Sequence, residues 1–144
     1  MPETSAPSAS KTVTAALLII GNEILSGRTR DANLQFLALE LNKLGVRMVE
    51  CRVVPDIEKT IVDTLNEMRR KFDYVFTTGG IGPTHDDITA DCIAKAFGVG
   101  ISEHPEAVAR MTKHYGDPAL FTPARRRMAR VPHGGTLVDN PVSV

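Results

Sequence analysis

The feature that most constrains this chain is an alternation. Short apolar runs that end in glycine or proline are separated by stretches with helical apolar spacing. Ala15-Ala-Leu-Leu-Ile-Ile20 is a continuous apolar run closed by Gly21, the pattern of a strand buried on both faces. Leu34, Leu37, Leu41 and Leu44 then recur at helical intervals, and Gly45 supplies a C-terminal stop. Residues 46–54 are rich in β-formers. Ile57, Ile61, Leu65 and Met68 mark a second amphipathic helix, with Asp56 placed to cap it. A third strand, Tyr74-Val-Phe-Thr-Thr78, runs into a glycine-rich loop, and residues 88–97 read as the helix that follows, closed by Gly98. Strand–helix alternation at this spacing builds βαβ units, hence an α/β domain in three αβα layers around a mostly parallel sheet.

Past Gly98 the pattern is more helical. Pro105 opens a helix through Tyr115, and Thr122-Pro123 reads as an N-cap followed by proline at the first helical position. Residues 136–138 resemble a last short strand. Arg125, Arg126, Arg127 and Arg130 crowd the second of these segments, as either a solvated helix face or a patch for an anion or another subunit. Residues 1–12 are poor in apolar groups and lack a charged region followed by an apolar one. They are expected to be a disordered tail rather than a signal peptide, with the domain spanning residues 13–144.

Composition narrows the function. The 144 residues carry 17 Lys+Arg and 17 Asp+Glu, so the basic excess of a nucleic-acid or anionic-membrane binder is missing. No apolar run approaches the roughly 20 residues that span a membrane. Cys51 and Cys92 show no metal-ligand spacing and are expected to pack as small hydrophobes. A reducing cytoplasm fits them.

In an open parallel sheet, ligands sit beyond the carboxyl ends of the strands. Three exits carry polar chemistry: Gly21, Asn22 and Glu23 after the first strand, Asp56 after the second, and Thr78 to Thr89 after the third. The last has three glycines in four positions, Gly79, Gly80 and Gly82, followed by Pro83 and a helix start. Backbone N–H groups and a helix dipole there suit a phosphate, with a threonine hydroxyl, Thr77 or Thr78, as a further donor. The spacing is that of neither a Walker A loop nor a dinucleotide fingerprint. Asp86 and Asp87 either cap the helix or, with Asp56 and Glu23, hold a hard cation such as Mg2+ beside the phosphate. Asp31 or Asn33 is a candidate cap for the first long helix, and His85 is a loop histidine able to touch phosphate. No Ser/His/Asp or Cys/His set emerges to support a nucleophilic hydrolase.

Four segments in order, Gly21-Asn-Glu-Ile-Leu-Ser-Gly27 with Asp31-Ala-Asn33, Val54-Pro-Asp56, Thr78-Gly-Gly-Ile-Gly-Pro-Thr-His-Asp-Asp-Ile-Thr89, and Leu137-Val-Asp-Asn-Pro-Val142, resemble the molybdopterin-binding domain family of molybdenum-cofactor biosynthesis. The resemblance is closest to the N-terminal domain of competence/damage-inducible, CinA-type proteins, and covers about residues 14–144. It implies a trimer or other homo-oligomer. It implies a loop that holds the phosphate of molybdopterin or an adenine nucleotide with Mg2+, catalytic and metal-holding aspartates at Asp56 and Asp87, and Asp86 and Thr89 beside the loop. The chemistry it implies is hydrolysis of the pyrophosphate in ADP-ribose, or adenylylation of molybdopterin. Ile81 stands where the cofactor-biosynthesis members carry threonine, and the family pattern continues beyond Val144 into an Ala-Pro-Gly turn and another strand. A non-catalytic module that keeps the pocket is therefore the other expectation, as is a chain trimmed at its C-terminus.

Overall fold

A computed structural model describes residues 10–144; most of the expected tail, residues 1–9, lies outside the described residues. Strand β1 (Val13–Ile20) is the centre of a three-stranded parallel sheet, flanked by β2 (Val46–Val54) and β3 (Tyr74–Thr78) in the order β2-β1-β3. Residues 15–20 are all buried, because each face of β1 is covered. Ala16, Leu18 and Ile20 point into a core with Ile61, Leu65 and Met68 of α3 (Glu58–Lys71) and Cys92 and Ala96 of α4 (Thr89–Phe97). Ala15, Leu17 and Ile19, on the alternate face, are buried as well. The expected α/β architecture, a parallel sheet flanked by helices, is therefore the observed one.

The helices follow local chemistry. Helix α1 (Asn22–Leu25) is a single turn at the exit of β1, and α2 (Asn33–Lys43) packs on β2. Asp31 caps α2, accepting from the N–H groups of Asn33 and Leu34 at 3.1 and 3.0 Å, and Gly45 ends it at φ 75°. Helix α5 (Pro105–Tyr115) opens on proline, and α6 (Pro123–Arg126) is capped by the Thr122 hydroxyl, which accepts from Arg125 N–H at 3.3 Å.

Two expectations are corrected. Residues 136–138 form no strand; instead β5 (Arg130–Pro132) pairs antiparallel with β4 (Ile101–Glu103) in a separate two-stranded sheet. The glycines at 134 and 135 turn the chain out of that ladder before residue 136. Asp56 does not cap α3, whose N-cap residue is Ile57 with no side-chain hydrogen bond. Its carboxylate reaches across to β1's exit instead.

Candidate functional site

The register fixes where the strand exits meet. Ile20 pairs with Val54 and Ile19 with Thr78, so Gly21, Pro55 and Gly79 leave the sheet side by side. Gly21 N–H donates to the Val54 carbonyl at 3.0 Å, extending the ladder one residue past β1. Asn22 and Asp56 then clasp each other. Asn22 N–H donates to Asp56 Oδ2 at 3.0 Å, and Asp56 N–H donates to Asn22 Oδ1 at 3.3 Å. Asp56 thus satisfies the first N–H of α1.

At the third exit the glycines answer first to packing. Gly79 has φ 88°, and a Cβ there would overlap the Ile20 carbonyl, 3.0 Å from its carbon and nearer still to its oxygen. Gly80 has φ 61°, and its Cβ would overlap the Thr89 hydroxyl. A side chain at either position is strained by the backbone and forces a neighbour to shift. Thr89, 1% exposed, locks the loop root: its hydroxyl donates to the Gly79 carbonyl at 2.7 Å and its N–H to the Gly80 carbonyl at 3.1 Å. One N–H of α4's first turn, expected to face a ligand, is therefore spent on the loop itself. Gly82 is different. It is outside the left-handed region, and a Cβ would meet only Asp87 Oδ2 at 2.8 Å. The Thr78 hydroxyl is buried at the root with no partner among the described residues.

Neither Asp86 nor Asp87 caps α4, whose N-cap residue Ile88 has no side-chain bond. Asp87 Oδ2 accepts from the Thr84 N–H at 2.9 Å and hydroxyl at 2.7 Å, closing the loop tip into a turn. Burial pushes the Asp87 carboxyl up, but the Thr84 hydroxyl and N–H, the Gly82 N–H and the Arg127 charge outweigh it, and the carboxyl lies below its ordinary range. Asp86 is exposed, as are Pro83 and His85, with His85 Nε2 3.3 Å from Asp86 Oδ1.

Two clefts flank the loop. The larger, about 400 Å³, is lined by Asn22, Glu23, Arg28, Asp56, His85, Asp86 and Ile88. The smaller, about 160 Å³, is bounded by Gly80, Ile81, Gly82, Asp87 and Asp91, with Arg127, Met128 and Arg130 opposite. Asp56 therefore shares a cleft with Glu23 and Asp86, whereas Asp87, its expected metal-binding partner, lines the other side. Among the described residues, no three His, Cys, Asp or Glu side chains cluster closely enough for a protein-only metal cage. The larger cleft nevertheless offers oxygen donors, and Mg2+ characteristically takes one or two carboxylates with waters and substrate phosphate. One or two of the carboxylates of this cleft, Asp56 and Asp86, fit that chemistry.

The arginine-rich segment does not stay together. Residues 127 and 130 reach the glycine loop from about fifty positions away, a convergence that no local pattern announces. Ser102 and His133 also meet unannounced, Oγ to Nε2 at 2.9 Å, joining the two short strands. Cys92 is buried and its thiol is raised by burial to about 11; Cys51 is half-buried and raised for the same reason, then by Asp31. Neither is a poised nucleophile. Among the described residues, no helix is long and apolar enough to cross a membrane.

Comparison with known proteins agrees with this geometry. Residues 16–140 match the family described as "Probable molybdopterin binding domain". A protein from Pyrobaculum arsenaticum is 39% identical over 89% of this chain and 49% of its own length. A CinA-like protein from Myxococcus xanthus is 36% identical over 87% of this chain and 30% of its own. The chain thus spans about half the length of the first relative and under a third of the second. The crystal structure of the protein CinA from Thermoplasma acidophilum, titled as of unknown function, superposes with a TM-score of 0.83 at 34% identity, covering 92% of this chain and 79% of that one. The chain therefore belongs to the molybdopterin-binding domain family, on its CinA-like branch.

Proposed function

We propose that this domain binds a small phosphate ester against the glycine loop and hydrolyses a pyrophosphate linkage, as in ADP-ribose, with Mg2+. The observation that carries the reading is the convergence of three strand exits on one loop, with an oxygen-donor cleft on one side and arginines on the other. Asp56 and Asp86 would contribute one or two carboxylates to the cation beside water and phosphate oxygens, and Mg2+ there would neutralise phosphate charge. The chain's own residues supply the rest. Thr89 fixes the loop root, and Asp87 shapes its tip through Thr84. A loop preorganised in this way would stabilise charge that develops on phosphoryl oxygens.

The assay is incubation of the protein with ADP-ribose and MgCl2, followed by 31P NMR for AMP and ribose 5-phosphate. Turnover that disappears in Asp56→Asn supports the reading. Binding of ADP-ribose without turnover instead identifies a non-catalytic module, and no binding of ADP-ribose, ATP or molybdopterin, with or without Mg2+, refutes the site. Adenylyl transfer from ATP to molybdopterin is the second reading, favoured by the family match over residues 16–140; release of pyrophosphate from ATP only when molybdopterin is present would establish it.

We also propose association of copies. Phe36 and Leu39 lie three residues apart on α2 and are 64% and 58% exposed, an apolar face of the kind that marks interfaces. A trimer mass by light scattering, lost in Phe36→Lys, is the expected result.

A further inference from the structure

Ala107, Arg110, Met111 and His114 follow one another along α5 at intervals of three, one and three, so they share one helix face. That face, with Met128, Val131 and Leu137, encloses a cavity of about 590 Å³. The cavity is larger than either cleft beside the glycine loop and lies within the roughly 300–1,000 Å³ of small-molecule sites. Among the described residues, none from the glycine loop or the three strand exits lines it.

Its walls are largely apolar, and basic groups border them. Met111 is buried, and methionine walls such as Met111 and Met128 adapt to ligands of varied shape. Asp139 is the one carboxylate side chain that lines the cavity among the described residues, and Arg110 already engages it. The Arg110 guanidinium donates to Asp139 Oδ1 at 2.7 Å and also pairs with Glu106. This tie fastens the segment after Leu137 across α5. Asn140 Oδ1 stiffens that segment by accepting from the Val142 N–H at 2.9 Å. Lys113 lines the same cavity and, among the described residues, is in no ion pair. An entering carboxylate therefore meets a cation that it need not win from another acid.

We propose that this cavity binds a small aliphatic carboxylate, with its hydrocarbon chain among Met111, Met128, Val131 and Leu137 and its carboxylate at Lys113. Burial of the methylene groups supplies the affinity, and the cation sets the orientation. The site is separate from the loop and does not depend on the phosphate-binding reading.

The test is NMR titration of protein carrying 13C at its methionine methyls, with sodium octanoate and, in parallel, the uncharged 1-octanol. The Met111 methyl should shift saturably with one octanoate per chain, while Met48 of β2 and Met68 of the central core should not move. Met128 also borders the small cleft, so Met111 is the reporter. Lys113→Glu should weaken octanoate binding about fivefold or more and leave 1-octanol unchanged. Ala107→Trp, which fills the cavity, should abolish binding of both. Circular dichroism melts establish that each variant is folded, and the exposed Lys113→Glu carries the test if Ala107→Trp is not. No shift at Met111, an equal shift at Met68, or unchanged octanoate affinity in Lys113→Glu would overturn the proposal. Displacement of octanoate by pyrophosphate would overturn it too, by making the cavity part of the loop site. Failure of ADP-ribose hydrolysis would leave this titration unchanged while removing the activity proposed for the loop.

Discussion

Gly79→Ala tests whether the loop's first glycine belongs to the fold before it belongs to a ligand. At φ 88° an L side chain is held in the left-handed region, which costs roughly 1–2 kcal/mol. The added Cβ also overlaps the Ile20 carbonyl, and that carbonyl is backbone in a strand with no room to retreat. Forcing such an overlap adds about 1–3 kcal/mol. Together the loss is about 2–5 kcal/mol, a large share of the ~5–15 kcal/mol that domains possess. For a chain of this size it lowers Tm by about 10 °C. Gly82→Ala is the control, because its Cβ meets only the end of the Asp87 side chain, and the expected cost is under about 1 kcal/mol. The measurements are urea unfolding and calorimetric melting, alongside pyrophosphate binding. A Gly79→Ala protein that melts within 2 °C of wild type, or a Gly82→Ala protein damaged as badly, would refute the argument; so would the reverse ordering of the two.

Three further outcomes are expected. Asp56→Ala, which strands the Asn22 N–H, should lose about 1 kcal/mol in urea unfolding, while Asp56→Asn keeps an acceptor and loses less; a Mg2+-dependent rise in Tm with ADP-ribose should vanish in both. The Asp87 carboxyl is held below its ordinary 3.8, so its contribution is present above the unfolded value and is lost as pH falls through the folded one. The stability gap between wild type and Asp87→Asn should therefore be constant near neutrality and close as pH drops below 3.8, as followed by melts across an acid series. Cys92, buried and raised to about 11, should react with a disulfide reagent at pH 8 far more slowly than Cys51; equal rates in native protein would contradict the packing described.

What the sequence made legible was local. β1 announced itself because six consecutive apolar residues have no helical face to spare, and Asp31, Gly45, Gly98 and Thr122 mark helix ends through interactions that reach four residues at most. The partner of Asp56 and the surroundings of Arg127 were not legible, since both depend on which strand exits and loops become neighbours. Asp56 has the right position to cap α3, but the register of β1 on β2 presents it with the Asn22 N–H. Arg127 sits in a run of like charges that reads equally well as solvated surface. Only the return of β5 onto β4 carries it to the glycine loop. The three-residue strands of that second sheet are too short to show an alternating pattern. The placement of Asp86 and Asp87 on opposite sides of one loop follows from the turn that Thr84 closes, and adjacency in sequence conceals it.

Thr89's two bonds to the carbonyls of residues 79 and 80 divide the loop into parts with different freedom. The root is bolted to the sheet, and any replacement there unseats β1. The segment from Ile81 to Asp86 hangs outside that anchorage, largely in water, with stability barely invested in its side chains. A domain built this way can exchange residues along the overhang, and with them the molecule it prefers, while the bracket that presents them stays the same shape.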